Sequence, residues 1–512
     1  MKPPIQITRG RQDTSNFVRR IALPLLVLSL GLALIQPRAA DALTFTDVSE
    51  AAGIFEYNLS WDSAWGDYDR DGYIDVMTVG HLGSICQLWH NNGDGTFTDV
   101  TTAAGMLTAD GDAHSPCWAD LDNDGDLDLY IAKGTNKVDK PINYNDLWRN
   151  NGDGTFTNIA VSSGVTGIVC PNRGSTAVDY DNDGDLDLFV PSNFKQGLGG
   201  PNLLYRNDRD FQFTDVATTA GIAREGVGNW GAAWTDYDRD GRIDVFITTP
   251  AEGGVPSTAL YRNRGDGTFE DVSSDEGIDT SGFSNNGAWG DFDNDGYPDL
   301  YVATDSADIL YRNNGDGTFT DVTEESGIIN TYRALAVDWG DYDNDGYLDL
   351  YVVNSLEPNR LFRNNGNGTF TDVAASVGVT AKEGGSGSDA TFIDYNNDGF
   401  PDLFVCNGAG PSSGPYLLFK NNGNLNHWLK IELTGKESNR DGVGARITLT
   451  AGRRTQYRQY VGQHSVAQNH IPVHFGLRKA TTVRSIVIEW PSGVRQELDN
   501  NPADQTITVI EP

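Results

Sequence analysis

The sequence predicts an all-β protein: a seven-bladed β-propeller closed by an N-terminal strand and followed by a small β-sandwich domain. A nine-residue acidic motif occurs seven times, at intervals of 50 to 59 residues. Each interval holds short β-rich segments, and the composition changes after Gly423. Intervals of this length are typical of repeat architectures, and four-stranded units repeated around an axis build a propeller.

Four strands are expected in each repeat. In the fourth repeat they are GAAW (231–234), DVFITT (244–249), ALYRN (259–263) and TFEDV (268–272), all with residue types that favour strands. The third and fourth are joined by NNGDGTF or a variant, which suits a tight hairpin. The main alternative is a calcium-binding β-roll, which repeats about every nine residues. The longer period disfavours that alternative.

The phase of the repeat predicts how the ring closes. TFTDVSEAAGI (44–54) resembles TFTDVTTAAGM (96–106), so a fourth-strand segment precedes the first acidic motif. The last repeat reaches LLFKNNG (417–423) without a TFTDV segment. We therefore expect residues 44–49 to supply the outer strand of the seventh blade, which leaves no open sheet edge there.

Three segments are expected: a secretory signal peptide at 1–42, the propeller at 43–423 and a β domain at 424–512. The first has Arg19 and Arg20 before an apolar run over 21–35, then small residues at 40–42 that suit cleavage. The run is short for a membrane span, and an uncleaved anchor is the alternative. No second apolar span follows, so we expect a secreted, periplasmic or cell-surface protein without a membrane span in the mature chain.

The charge is concentrated in the propeller. The whole chain carries −35, while residues 424–512 hold 11 Lys/Arg against 8 Asp/Glu and residues 1–42 hold 6 against 2, which leaves −42 for residues 43–423. Charge of this size destabilises a compact state unless something neutralises it. It also excludes nucleic acid as an expected partner.

The acidic motif predicts calcium binding. In DYDNDGYLD (341–349), aspartates at positions 1, 3, 5 and 9 and the carbonyl at position 7 can surround one ion, while Gly at position 6 permits a sharp turn. A flexible ring of many oxygens suits Ca²⁺ better than Mg²⁺. The alternative for one copy is a solvated Asp/Gly turn. Seven copies in register favour metal binding, with up to seven Ca²⁺.

The predicted ligands occupy positions 1, 3, 5, 7 and 9 of each loop. They are Asp67, Asp69, Asp71, Tyr73 and Asp75; Asp120, Asp122, Asp124, Asp126 and Asp128; Asp179, Asp181, Asp183, Asp185 and Asp187; Asp236, Asp238, Asp240, Arg242 and Asp244; Asp291, Asp293, Asp295, Tyr297 and Asp299; Asp341, Asp343, Asp345, Tyr347 and Asp349; and Asp394, Asn396, Asp398, Phe400 and Asp402. The seventh loop is the weakest candidate, because Asn396 removes one charge.

Other polar and aromatic residues are given simpler interpretations. The turn aspartates Asp94, Asp153, Asp266 and Asp316 lack alternating carboxylates and predict hairpins. The aromatic residues two positions before most loops predict blade core: Trp65, Trp118, Trp234, Trp289, Trp339 and Phe392. Cys86, Cys117, Cys170 and Cys406 allow two disulfides, with isolated core thiols as the alternative. His464, His470 and His474 have no zinc-site spacing.

These features together resemble the FG-GAP/VCBS repeat propellers, including the integrin α-subunit heads, over residues 44–423. Segments 426–447, 473–477 and 488–493 resemble the ASPIC/UnbV domain. The pairing is similar to the cartilage acidic protein group and its bacterial homologues, which implies an exported, calcium-binding protein without an assigned activity. WGDYD and GAAW replace the Phe-Gly and Gly-Ala-Pro elements, so integrin-like partner binding is not implied.

Two functions are considered. The first is a non-catalytic binding or adhesion module whose partner, an extracellular protein or glycan, contacts the variable loops on the face opposite the acidic loops. Tyr144, Phe194, Trp230, Tyr332 and Arg333 are the candidate contacts. The second is a calcium-dependent enzyme on an exported polymer, such as a polysaccharide lyase, although none of the common catalytic motifs is present. The sequence does not define the oligomeric state.

Overall fold

The computed structural model describes residues 43–54, 57–58, 60–80, 86–106, 112–134, 144–167, 172–193, 199–251, 255–279, 281–381, 387–408, 414–464 and 466–512. The predicted signal segment, Cys170 and Phe194 lie outside these residues. Nowhere in the described ranges does a helix have the length and apolar character needed to cross a membrane.

The first strands in the chain precede blade 1. They are β1 (Phe45–Asp47) and β2 (Tyr57–Asn58), separated by α1 (Ser49–Ala52). Blade 1 comprises β3 (Ser60–Gly66), β4 (Asp75–Gly80), β5 (Gln87–Asn91) and β6 (Phe97–Asp99). Blade 2 comprises β7 (Asp112–Ala119), β8 (Asp128–Gly134), β9 (Asp146–Asn150) and β10 (Phe156–Asn158), followed by α2 (Ala160–Ser163).

Blades 3 and 4 follow the same order. Blade 3 comprises β11 (Thr176–Val178), β12 (Asp187–Val190), β13 (Leu203–Asn207) and β14 (Phe213–Asp215), followed by α3 (Ala217–Ala220). Blade 4 comprises β15 (Ala232–Thr235), β16 (Asp244–Ile247), β17 (Ala259–Asn263) and β18 (Phe269–Asp271).

Blades 5 to 7 complete the propeller. Blade 5 comprises β19 (Ser284–Gly290), β20 (Asp299–Thr304), β21 (Ile309–Asn313) and β22 (Phe319–Asp321), followed by α4 (Thr323–Ser326). Blade 6 comprises β23 (Ala334–Gly340), β24 (Asp349–Asn354), β25 (Arg360–Asn364) and β26 (Phe370–Asp372), followed by α5 (Ala374–Val377). Blade 7 contains β27 (Asp389–Ile393), β28 (Asp402–Cys406) and β30 (Leu417–Asn421), while β29 (Gly414–Pro415) pairs with β2.

The strand pairing is consistent with the predicted closure. Strand β1 pairs antiparallel with β30, with Phe45 opposite Asn421 and Asp47 opposite Phe419. The fourth strand of blade 7 therefore comes from the N-terminal side of blade 1. Because β1 belongs to the sheet of blade 7, separating the segment before blade 1 from blade 7 requires breaking backbone hydrogen bonds as well as side-chain contacts.

The aromatic residues before the loops pack between blades, as predicted. The indoles of Trp118, Trp289 and Trp339 donate hydrogen bonds to backbone carbonyls of the preceding blade, at 3.0, 3.0 and 3.2 Å. Trp65 and Trp118 are fully buried. The rings of Trp118, Trp289 and Trp339 thus contribute apolar area to a blade interface and also satisfy their own donors.

Single helical turns follow several outer strands, a feature that the sequence interpretation missed. In the first case Asp47 accepts a hydrogen bond from the Ser49 N–H at 3.0 Å, and the turn ends at Gly53 with φ +76. A short Asp side chain and a glycine in the left-handed region are ordinary start and stop signals for a helix. The sequence shows both signals, since Asp47 lies in TFTDV and Gly53 follows six residues later. The interval between them is too short to have suggested a helix.

The cysteines form no disulfide within the described residues. Cys86, Cys117 and Cys406 are buried on three different blades, and Cys117 and Cys406 are free thiols. Burial raises the pKa of Cys117 and Cys406. These two match the alternative of isolated core thiols.

After blade 7, two sheets form the predicted β-sandwich. Its strands are β31 (His427–Thr434), β32 (Arg446–Ala451), β33 (Arg454–Gln459), β36 (Val473–Arg478), β37 (Thr482–Glu489), β38 (Arg495–Pro502) and β39 (Gln505–Ile510). The two short strands β34 (Gln463–His464) and β35 (Ala467–Gln468) instead extend the sheet of blade 2 beside β7. One sheet has the order β36-β31-β39 and the other β33-β32-β37-β38. Leu429, Ile447 and Ile486 belong to one apolar cluster with side chains of blades 2 and 3.

Residues 466–471, here called the axial segment, join the β-sandwich to the innermost strands of the propeller. The backbone N–H of Trp65 in blade 1 donates to Asn469 Oδ1 at 2.8 Å. Gln468 Oε1 accepts the backbone N–H of Ala177 in blade 3 at 2.7 Å. Gln468 also pairs in register with Cys117 of blade 2. Asn469 Nδ2 donates to Thr391 of blade 7 at 2.9 Å. One short segment therefore bonds to four blades near the axis.

A buried asparagine at the end of each third strand bonds neighbouring blades together. In blade 6, Asn364 Nδ2 donates to the Leu348 carbonyl at 3.0 Å and to the Phe292 carbonyl of blade 5 at 2.8 Å. Its Oδ1 accepts the N–H of Gly366 at 2.9 Å. The same donation across blades recurs for Asn91, Asn150, Asn207, Asn263, Asn313 and Asn421.

We expect Asn364→Ala to lower the free energy of unfolding by roughly 2–4 kcal/mol, because it leaves buried carbonyls without a donor. The matched control is Asn365→Ala, which removes an exposed amide bonded only to threonine hydroxyls of the same hairpin. Urea denaturation of both variants measures the difference. Equal stability of the two variants would show that the asparagine does not hold the blades together.

Candidate metal-binding loops

Each acidic motif forms the loop between the first and second strands of its blade. Position 9 is the first residue of the second strand, as with Asp75 in β4 and Asp349 in β24. Position 4 lies in the left-handed region in every loop, with φ from +54 to +62, and the glycine at position 6 does too. This backbone brings alternate side chains toward one point, and only glycine adopts the conformation at position 6 readily.

The aspartate at position 1 organises the loop backbone. In loop 6, Asp341 Oδ1 accepts the Asp345 N–H at 2.9 Å and Oδ2 accepts the Gly346 N–H at 2.8 Å. The same two bonds recur in all seven loops. The aspartate at position 5 in turn accepts the N–H of position 7, as Asp345 does from Tyr347 at 3.1 Å.

The aspartate at position 9 is buried against the third strand. Asp349 is 2% exposed, and its Oδ1 accepts the N–H of Asn364 at 2.8 Å. Burial, followed by repulsion from neighbouring carboxylates, raises the pKa of Asp349 well above its usual range. The equivalent Asp75 has a pKa raised to about 9, again mainly by burial. These groups are held where an ionised carboxylate is unfavourable without a counter-cation.

The predicted ligands at positions 1, 3 and 9 converge. One carboxylate oxygen from each lies within 4.8 Å of the others in the sets Asp120, Asp122 and Asp128; Asp179, Asp181 and Asp187; and Asp236, Asp238 and Asp244. In loop 1, Asp67, Asp69 and Asp71 form one such set and Asp69, Asp75 and His90 another, and two further sets occur within the described residues. Such a spread of ligand atoms is compatible with a single ion.

The donor set fits a hard divalent cation. Carboxylate oxygens, with a backbone carbonyl available at position 7, are the ligands that Ca²⁺ prefers. Asp349 Oδ2 and Asp402 Oδ2 are buried and have no hydrogen-bond partner among the described residues. Oxygens of this kind are rare in folded proteins unless an ion or water satisfies them. Asp341, Asp343, Asp345 and Asp349 in loop 6 would hold such an ion.

The loops are linked to one another around the ring through position 4. Asn344 Nδ2 donates to the Gly399 carbonyl of the next loop at 2.9 Å, and Asn397 Nδ2 of loop 7 donates to the Gly72 carbonyl of loop 1 at 2.9 Å. Asn123, Asn182, Arg239 and Asn294 make the same link. Arg70 instead pairs with Asp126 of loop 2. The seven loops thus form one connected ring.

The β-sandwich contacts this acidic face, which the sequence did not predict. Lys430 Nζ lies 2.7 Å from Asp394 Oδ2 of loop 7, and both side chains are buried. Arg446 pairs with Asp236 of loop 4, and Arg440 lies 3.7 Å from Asp120 of loop 2. Asn439 donates to Asp179 of loop 3 at 3.4 Å. Four loops therefore have a position-1 carboxylate in contact with the β-sandwich, and loop 7 combines Lys430 with a neutral Asn396.

Two of the three clustered histidines belong to the same interface, whereas the side chain of His464 is outside the described part. His470 Nε2 lies 3.3 Å from Asp441. Burial lowers the pKa of His470, but the charge and hydrogen bond of Asp441, together with the charges of Asp120 and Glu432, outweigh burial and raise it. His474 Nε2 lies 2.6 Å from Asn344 Oδ1, and burial lowers the pKa of His474 to about 3. His474 therefore bonds the β-sandwich directly to loop 6. His470 contacts the acidic face through Asp441, whose Oδ2 accepts the Asp120 N–H of loop 2 at 2.9 Å.

Sequence reasoning missed His90, the third-strand residue before Asn91. Its Nδ1 lies 3.3 Å from both Asp69 and Asp75 in loop 1. The equivalent residue in other repeats is a lysine or arginine, such as Arg363, which pairs with Asp343 at 2.9 Å. Aligning the seven repeats would have shown that blade 1 differs here. It would also have shown the asparagine that follows in every repeat.

The NGDGTF turns are hairpins, as predicted. Asp94 Oδ1 accepts the hydroxyl and the N–H of Thr96 at 2.6 and 3.1 Å, and the hydroxyl is the larger cause that lowers the pKa of Asp94. Equivalent bonds form at Asp153, Asp266 and Asp316. These carboxylates are already satisfied by their own turns.

The candidate contacts on the opposite face differ in accessibility. Tyr144 is 51% exposed, whereas Trp230 is buried and stacks on Trp61 at 6.1 Å. Tyr332 is half-buried beneath the Arg360 guanidinium at 5.2 Å, and Arg333 pairs with Asp305 at 2.7 Å. The prediction of Trp230 as a contact residue was therefore wrong, because its ring belongs to the interior.

The fold and loops define a class, a repeat β-propeller with an acidic, oxygen-rich loop in each blade and an appended β-sandwich. The sequence matches the FG-GAP-like repeat family at residues 67–131, 138–190, 179–247, 251–302, 291–352 and 341–405, and the chain belongs to that family. Residues 435–512 match the ASPIC and UnbV family. Cartilage acidic protein 1 of Homo sapiens is 24% identical, covering 96% of this chain and 78% of the relative.

The chain is also similar to another relative and to solved structures. Cartilage acidic protein 1 of Mus musculus is 23% identical, covering 89% of this chain and 74% of the relative. Among solved structures, BBS1N in complex with ARL6DN has a TM-score of 0.44 at 12% identity, covering 75% of this chain and 98% of that chain. YCF48 bound to D1 peptide has a TM-score of 0.41 at 11% identity, covering 71% and 96%. Likenesses this weak add no argument about function.

We expect metal-free protein to lose stability as the pH rises. Burial is the main cause that raises the pKa of Asp179 and Asp291 to about 7, and that of Asp75 to about 9. An unfolded aspartate has a pKa of about 3.9. At a pH between the unfolded and the folded pKa values, the folded chain still holds protons that the unfolded chain has released. The free energy of unfolding therefore falls as the pH rises.

The measurement is the melting temperature in EGTA between about pH 5 and pH 8, the range in which these groups ionise. It should fall steadily, and the same scan in excess calcium should show a smaller decrease. A flat or rising profile in EGTA would mean that the loop carboxylates are not held in the unfavourable environment described above.

Proposed function

We propose that this protein is an exported binding or adhesion module without catalytic activity, in which calcium ions in the acidic loops stabilise the blades and a partner contacts the opposite face. The convergence of carboxylates at positions 1, 3 and 9 supports the calcium part of the proposal. Membership of the FG-GAP-like repeat family and the likeness to cartilage acidic protein 1 support a non-catalytic extracellular role.

The arrangement of the two domains supports recognition on the opposite face. The β-sandwich contacts loops 2, 3, 4 and 7 on the acidic side. The second strands start at the acidic loops and end at the other side, and Tyr144, shortly before the third strand of blade 2, is exposed. Variable loops on a rigid scaffold are where recognition is expected. An extracellular protein or a glycan is the proposed partner class.

The calcium proposal is tested by metal content and thermal stability. A ligand that binds only the folded state stabilises it, by about 2.7 kcal/mol at a hundredfold excess over its Kd. Asp181→Asn should reduce the number of bound calcium ions and the melting-temperature gain in calcium, because Asp181 is an exposed member of the loop 3 set. The matched control Asp153→Asn, in an exposed hairpin turn, should change neither.

Native mass spectrometry counts the ions, and melting is compared in calcium, magnesium and EGTA. Protein that retains no ion after dialysis and melts identically in all three conditions would refute calcium stabilisation. Loss of an ion in Asp153→Asn but not in Asp181→Asn would place the metal in the hairpin turns instead.

The alternative of a calcium-dependent lyase has one structural observation in its favour. At the axis, Arg173 Nη1 lies 2.9 Å from His114 Nδ1, and the pKa of Asp62 is raised by burial and by Asp389. A lyase needs a basic residue near a cationic or protonated group. All four side chains are buried, however, whereas a polymer-cleaving site must be open to its substrate.

We expect acidic polysaccharides incubated with the protein in calcium to yield no unsaturated products. Absorbance of the new double bond measures this directly, and a chelator-treated sample is the control. Product release that stops in EGTA and in Arg173→Ala would establish the enzyme in place of the binding module.

The binding module predicts that the double variant Tyr144→Ala with Tyr332→Ala retains less of the partner from an extracellular extract, because both side chains belong to the proposed contact face. Unchanged retention would count against that face.

A further inference from the structure

A basic groove lies at the edge of the β-sandwich, on the hairpin between β32 and β33 and the turn after β36. Its volume is about 520 Å³, and its lining includes Arg453, Arg454, Arg478 and Lys479 together with Asp293 of loop 5. Volumes of this size are typical of sites for small ligands. Four cations against one carboxylate make the groove opposite in charge to the rest of the molecule, which carries −35 overall.

These four cations have no acidic partner among the described residues, although the chain is strongly acidic. Within the described residues none of the four forms an ion pair, although the chain holds 72 Asp/Glu against 37 Lys/Arg. Several arginines elsewhere have carboxylate partners, as Arg206 has in Asp208 and Arg333 has in Asp305, both at 2.7 Å. Clustered cations that repel one another and lack an acidic partner are arranged to receive an anion from outside.

The groove is distinct from the contact between the β-sandwich and the acidic face. Arg446 and Lys430 serve that contact through Asp236 and Asp394. In the groove, Arg453, Arg478 and Lys479 are exposed, and Lys479 Nζ donates only to the Leu425 carbonyl at 2.8 Å. Arg454 lies 3.8 Å over the Tyr347 ring, which fixes its guanidinium at the rim beside loop 6.

We propose that this groove binds an anionic oligosaccharide, carrying carboxylate or sulfate groups, through Arg453, Arg454, Arg478 and Lys479. Guanidinium groups bind such oxyanions in a bidentate manner, and the volume accommodates a few sugar units. Thr455 and Asn294 also line the groove and offer polar groups to sugar hydroxyls. A short anionic chain fits better than a nucleic acid, because a long polyanion would meet the acidic propeller next to the groove.

The test compares variants in binding defined probes. Calorimetry or fluorescence polarisation measures the affinity for oligogalacturonate, a heparin-derived tetrasaccharide, a neutral maltotetraose and a single-stranded oligonucleotide. Arg453→Glu with Arg478→Glu should weaken binding of the anionic sugars by roughly tenfold or more, since two attractive charges become repulsive. Arg453→Gln with Arg478→Gln should give a smaller loss. Arg495→Glu, an exposed change outside the groove, should leave the affinity unchanged.

The outcomes separate the proposal from simpler explanations. Preference for oligogalacturonate or for the heparin tetrasaccharide supports the proposal and identifies the carboxylate or sulfate as the recognised group. Absence of binding to both, equal binding of maltotetraose, tighter binding of the oligonucleotide, or equal losses in Arg495→Glu would overturn it. Each variant should keep the calcium-dependent melting shift of the unaltered protein, because none of these arginines belongs to an acidic loop. That shift therefore reports folding and the calcium proposal separately from groove binding.

Discussion

The structure depends on burying a carboxylate at the start of the second strand in every blade. Asp349 and its six equivalents are held there by the N–H of an asparagine whose amide also bonds the neighbouring blade. The same carboxylate therefore belongs both to the acidic loop and to the contact between blades. Its ionised form is unfavourable in that environment unless a cation lies beside it. Occupation of the loop and cohesion of the ring are consequently coupled through one residue pair per blade.

Charge explains the position of the β-sandwich. Seven loops directed to one face concentrate much of the −42 carried by residues 43–423 on that face. The β-sandwich contributes Lys430, Arg440 and Arg446 to position-1 carboxylates of three loops. These cations offset part of the carboxylate charge and so reduce repulsion between loops. The axial segment adds directional hydrogen bonds to four blades, which fixes the orientation that charge alone would leave free.

The parts of the fold that the sequence predicted correctly are those encoded within one repeat. The nine-residue motif, the hairpin signals and the extra TFTDV segment predicted the acidic loops, the strands and the pairing of β1 with β30. The parts it missed depend on contacts between distant segments. Lys430 is 36 residues from Asp394, and Gln468 is 291 residues from Ala177, and neither pair has a local pattern. The sequence shows that Asn364 has an equivalent asparagine in every repeat. Its hydrogen bond between blades, however, could be recognised only once the adjacent blades were known. Cys86, Cys117 and Cys406 lie on separate blades, which spacing along the chain did not indicate.

Two surfaces of opposite character follow from this architecture. Because the acidic loops are used internally, by their own backbone, by one another and by the β-sandwich, their negative charge is largely committed to holding the molecule together. Recognition is then left to surfaces where side chains have no internal partner. On the propeller the exposed Tyr144 is such a residue, and on the β-sandwich the unpaired Arg453 and Arg478 are. The groove lies beside loops 5 and 6, since Asp293 and Tyr347 form part of its wall. An ion in loop 5 would neutralise the one carboxylate that opposes an anionic ligand there, so the stabilising and the recognising parts of the molecule meet at that wall.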